Sequence, residues 1–187
     1  RERLLAEVDA VDPVFAQFHD PEGVYPLGDV PAYEPAPQDS IAARAARAGR
    51  SAMEEFYDQL LCDEGRALAM RPLLNFSDRT LDPVLAMLTH PATVWGLGDG
   101  GAHCGTTCDA SVPTTMLTHW ARDRAEGIEL SEVVRLMTSA TADLVGLRDR
   151  GRLSPGQVGD VNVVDLAGLR VGRPEMVHDL PGDARRF

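Results

Sequence analysis

The sequence predicts an α/β fold that ends in a small β unit. Three observations carry that expectation. Residues 73–101 run through a short apolar stretch, a helically spaced segment, a second apolar stretch and a glycine-rich loop. That is the rhythm of parallel α/β structure, where functional loops follow the carboxyl ends of strands. Helical patterns then cover Pro113–Arg124 and Ser131–Leu144. Beyond Gly146 the chain turns to β-branched residues and turn formers.

Charge and composition narrow the function. The 187 residues carry 18 Lys and Arg against 29 Asp and Glu, a net charge of −11. This acidic balance argues against a nucleic-acid partner, because neutralising phosphates needs a clustered basic face. No apolar run reaches the roughly 20 residues of a membrane helix, and no signal-peptide pattern opens the sequence, so no membrane partner is expected. Cys62, Cys104 and Cys108 are too few, and odd in number, for a disulfide framework. A reducing, cytoplasmic setting is the simpler reading. Cys104 and Cys108 stand beside His103 and Asp109, yet paired-cysteine zinc sites use shorter spacings and a second pair downstream, and neither is present.

Along the chain, a short helix is expected at Arg1–Val8. Pro13, Pro21, Pro26, Pro31, Pro35 and Pro37 then deny a long regular element, since each fixes φ and removes a backbone donor. Ser40 reads as the N-cap of a helix over Ile41–Arg47, and Gly49 is placed to end it. Ser51-Ala-Met-Glu54 has capping-box spacing and starts a helix that carries Phe56, Leu60 and Leu61 and runs out near Asp63. In the apolar stretch Ala67–Phe76 a strand is expected around Leu73–Phe76, closed by a Ser77-Asp78-Arg79 turn. Asp82-Pro83 opens the next helix, with Val84, Leu85 and Leu88 helically spaced and His90-Pro91 ending it. Thr93-Val94-Trp95 reads as a second short strand leading into Gly96-Leu-Gly-Asp-Gly-Gly101. In the tail, Pro155-Gly156 suits a type II turn, and Val161, Val163 and Val164 suggest short antiparallel strands.

The glycine loop admits three readings. Gly96, Gly98 and Gly101 formally satisfy a dinucleotide fingerprint. Asp99 at its centre would repel a pyrophosphate, and Cys104-Gly-Thr-Thr-Cys108 follows where a helix should open. A purely structural loop is the second reading, with the glycines supplying positive φ and Asp99 bonding its own turn. The third is catalytic, a carboxylate at a strand end that takes a proton from an activated water. Composition and spacing leave the last two open.

The run Gly96-Leu-Gly-Asp-Gly-Gly-Ala-His103, followed by Cys108-Asp-Ala-Ser111, Leu117-Thr-His-Trp120 and Arg122-Asp-Arg124, resembles the N-acyl-D-amino-acid deacylases of the amidohydrolase superfamily. The likeness continues through Thr138-Ser-Ala-Thr-Ala142, Gly146-Leu-Arg-Asp-Arg-Gly151, Gly156 to Asp165 and His178-Asp-Leu-Pro181. It spans Tyr25 to Phe187 and is strongest from Leu73 onward. Val158-Gly159-Asp160 stands where an Ala-Asp pair is usual.

The resemblance implies a distorted (β/α)8 barrel with a small β-sandwich. It implies zinc held by an early His-x-His pair, a bridging Cys or carboxylate, two mid-barrel histidines and one late aspartate. That aspartate maps onto Asp99, which by the resemblance accepts a proton from zinc-bound water, protonates the leaving amine and can also touch the metal. His103 and Asn75 are the candidate substrate-binding residues, the first four positions after Asp99 and the second at a predicted strand end. The five histidines, His19, His90, His103, His119 and His178, include no His-x-His pair, and such a barrel needs roughly 200 to 250 residues or more. The chain, which starts at Arg1 rather than Met, is therefore expected to be the carboxyl-terminal part of a barrel. Residues 1–145 would be a partial barrel segment with a loop-rich helical insertion, and 146–187 a β-sandwich tail.

On this reading the parent protein is a zinc-dependent amidohydrolase that cleaves the N-acyl group from a D-amino acid or a related amide, its substrate a small N-acyl amino acid, and the rest of the parent chain is a necessary partner. Residues 1–187 alone would neither hold zinc tightly nor turn over amides, since zinc takes about three or four protein ligands. Exposed strand edges would invite a homo-oligomer. His119 and Trp120 are expected to be buried on a helix, and Arg122 and Arg124 to form surface ion pairs with Asp123 and Glu126. Two alternatives stand beside this one. One is a cyclic-amide hydrolase related to dihydroorotases and hydantoinases. The other is a non-catalytic scaffold or partner-binding piece.

Overall fold

A computed structural model describes residues 2–6, 20–76, 78–96, 104–105 and 109–187. The chain falls into two compact units, Arg1–Pro83 and Val84–Phe187.

In the first unit, helix α1 (Glu2–Ala6) matches the expected opening helix. The proline-rich stretch forms two single 3-10 turns, Pro21–Gly23 and Pro37–Asp39, each begun by its proline. Between them lies strand β1 (Tyr25–Leu27), which pairs antiparallel with β2 (Leu68–Met70), Pro26 facing Ala69. Both strands of a two-stranded sheet are edges, so a proline can sit in one with its missing donor turned away from the ladder. Tyr25 and Leu27 are buried while Pro26 is half-buried, the two-residue alternation of a one-sided strand.

Helix α2 (Ile41–Ala48) starts where Ser40 Oγ accepts the amide of Ala43 at 3.2 Å. It ends at Gly49, whose φ of 66° a side chain would strain. Helix α3 (Ala52–Gly65) carries the expected capping box, with the Glu54 amide donating to Ser51 Oγ at 3.2 Å and the Ser51 amide to Glu54 Oε2 at 3.1 Å. Its regular turn stops as expected: Asp63 and Glu64 take left-handed φ of 51° and 57°. Ile41 and Ala45 are buried with Val24, Tyr25 and Leu27. From α3 the buried residue is Glu55, whereas Leu60 and Leu61 are exposed.

Two expected strands are absent. Residues 73–76 form a bend, and the strand of that apolar stretch is Leu68–Met70, before Pro72. Pro72 has no amide to offer a ladder, and Asn75 at φ 59° turns the chain out of extended conformation. Leu73 and Leu74 are accordingly 67% and 82% exposed. Thr93–Trp95 forms no strand either, because Thr93 is drawn into a turn, its amide donating to the His90 carbonyl at 2.9 Å. The intervening helix α4 (Asp82–Leu88) forms as expected and stops before His90-Pro91.

In the second unit, a 3-10 turn (Asp109–Ser111) leads into α5 (Val112–Thr115). The helix expected over Pro113–Arg124 then widens into a π-helix over Met116–Asp123, closed by the Arg124 amide on the His119 carbonyl at 2.9 Å. The helix expected over Ser131–Leu144 is two, α6 (Leu130–Met137) and α7 (Ser139–Leu144). Thr138, at φ −130° and ψ −87°, breaks it. The core gathers Met116, Trp120, Ile128, Val133, Leu136 and Ala142.

The tail contains the predicted turn: Pro155 precedes Gly156 at φ 86°, and the Gln157 amide closes on the Ser154 carbonyl at 3.2 Å. Its antiparallel strands are β3 (Val177–Leu180) and β4 (Ala184–Arg186). Val161 and Val163, by contrast, belong to no strand, and Val163 is 96% exposed. The mixture of helix and strand thus agrees with the expected class. Among the described residues both sheets are two-stranded and antiparallel, and no barrel is formed. No helix among them is long and apolar enough to cross a membrane.

Candidate active site

Of the three candidate site residues, Asp99 and His103 lie outside the described residues, as does most of the glycine loop. Asn75 is described, exposed in the bend after β2 with φ 59°. Asparagine is among the few residues that enter the left-handed region readily.

The loop is flanked in the sequence by the described residues 78–96 and 104–105. On its amino-terminal side, Thr93 and Val94 border a groove of about 320 Å³ whose walls include Leu88, His90, Leu136 and Leu144. Glu132 and Arg135 on α6 also line it, joined by two hydrogen bonds of 2.6 and 2.7 Å. The bond to Arg135 holds the Glu132 carboxyl below its ordinary value.

On the carboxyl-terminal side, Cys104 and Gly105 meet the end of the chain. The Phe187 amide donates to the Cys104 carbonyl at 2.8 Å. Arg185 crosses Gly105: a methyl group at the Gly105 Cα would lie 3.7 Å from Arg185 Nε. Arg186, the next residue of β4, is engaged on Asp179 of β3 through hydrogen bonds of 2.8 and 2.6 Å. That pairing lowers the Asp179 pKa and raises that of Arg186. No sequence pattern signals the Gly105–Arg185 approach, because residues so far apart leave no common periodicity.

On the π-helix, Trp120 is buried as expected, with the His119 ring edge-on at 5.0 Å and Arg124 lying 5.2 Å from its ring centre. Arg122 makes the expected pair with Asp123 at 2.6 Å and also donates to the Leu166 and Leu169 carbonyls, pinning the tail. Arg124 also donates to the backbone carbonyl of Glu126 at 2.6 Å.

A zinc centre needs several convergent donors. Among the described residues no group of three or more His, Cys, Asp or Glu side chains is placed to hold a metal ion. The described side chains therefore do not fit such a centre.

No curated protein and no solved structure matches the chain. A family model does, over residues 2–183, and its description is "Amidohydrolase family". The match spans α1 to the β3–β4 connection, nearly the whole sequence. The chain belongs to the amidohydrolase family.

Proposed function

We propose that this sequence belongs to an enzyme that hydrolyses the amide bond of N-acyl-D-amino acids, with Asp99 as its proton-transfer group. The observation that carries the reading is the run from Gly96 to His103 followed by Cys108-Asp-Ala-Ser111, set in a chain of the amidohydrolase family. Amide hydrolysis adds water across the C–N bond. Asp99 takes one proton from the attacking water and returns it to the leaving nitrogen, which gives a carboxylic acid and an amine; the acid's remaining proton then passes to the amine, so that a carboxylate and an ammonium group are released. The carboxylate takes the proton as the water oxygen bonds to the carbonyl carbon and becomes acidic, and the resulting carboxylic acid gives it up again because its pKa lies below that of the amine it protonates. His103 and Asn75 contact the substrate in this proposal. Zinc belongs to it as the metal of the intact protein, held with Asp99 by donors other than the described side chains.

The test is hydrolysis by the intact protein that carries this sequence, supplied with matched N-acetyl-D- and N-acetyl-L-amino acids. Release of free amino acid from the D-series, together with stoichiometric zinc by elemental analysis, supports the proposal. Turnover of cyclic amides in its place favours the hydantoinase-like alternative, and no hydrolysis of either leaves the scaffold reading.

A further inference from the structure

We draw no further inference here: the strongest candidate, the groove of about 320 Å³ between the end of α4 and helices α6 and α7, has its carboxylates, Glu132 and Asp143, already paired with Arg135 and Arg152, and nothing in the structure shows what covers its apolar walls.

Discussion

Arg44 reaches from α2 to the buried carboxylate of Glu55 on α3, its Nε 3.2 Å from Oε1. Arg50 closes on the other oxygen, so a carboxylate only 5% exposed is held between two cations. The bridge fixes α2 against α3 at a point where a leucine would ordinarily serve. Replacing both arginines by methionine leaves the charge buried without its partners, which costs about 3 kcal/mol. The lower end of the usual range applies because both arginines are two-fifths exposed. Adding Glu55→Leu to that double variant should recover most of the loss, measured by urea unfolding.

Asp143 and Arg152 make a second bridge, Arg152 giving hydrogen bonds of 3.0 and 2.5 Å to the two carboxylate oxygens. That bond lowers the Asp143 pKa from 3.8. A lowered folded-state pKa means a stabilisation fully present above 3.8 and lost as pH falls through the lower value. Glu132 with Arg135 and Asp179 with Arg186 behave in the same sense. All three pairs are solvent-exposed, so the effect is small and screened by salt. Asp143→Asn should lower the melting temperature slightly at neutral pH, and its difference from the unsubstituted protein should vanish in strong acid.

Gly127 is required by close approach. A β-carbon there would collide with the Trp120 carbonyl oxygen and stand 3.0 Å from that of Arg124. The neighbouring Ile128 amide already uses that Trp120 carbonyl at 2.7 Å, so the backbone has no room to retreat. Gly127→Ala should destabilise by about 1–3 kcal/mol. Gly159, with nothing near its missing side chain, should accept alanine with little change in thermal unfolding.

The capping box predicts a smaller, local effect. Ser51→Ala removes the acceptor of the Glu54 amide and should cost about 1 kcal/mol, detectable as a shift in denaturation midpoint. Ser51→Asp should retain most of the stability.

Features set by neighbouring residues were legible in the sequence. The caps at Ser40 and Ser51, the Gly49 helix end and the Pro155-Gly156 turn each depend on a hydroxyl, a carboxylate or a backbone angle within four residues. Features set by distant contacts were not. β1 exists because Tyr25 and Leu27 find Met70 and Leu68, a pairing with no local signature, and at three residues it is short enough to fit a stretch whose prolines deny a long regular element. In the apolar stretch 67–76 the strand lies before Pro72, and hydrophobicity alone does not tell which side of Pro72 has a partner. Glu55 shows the same limit: its burial follows from Arg44 and Arg50, and helical spacing had pointed to the leucines instead. Asp99 and His103 emerged from a motif, whereas Arg185 beside Gly105 emerged only from the folded chain.

The central claim is that Asp99 moves the proton in amide hydrolysis. Its most direct test is the turnover of Asp99→Asn in the intact protein, with circular dichroism and melting temperature recorded alongside. Asparagine keeps the size of the side chain and removes its basicity. The account predicts a fall in kcat of about 10²- to 10⁴-fold with folding unchanged. Turnover that survives the substitution would contradict it and leave the glycine loop a structural turn.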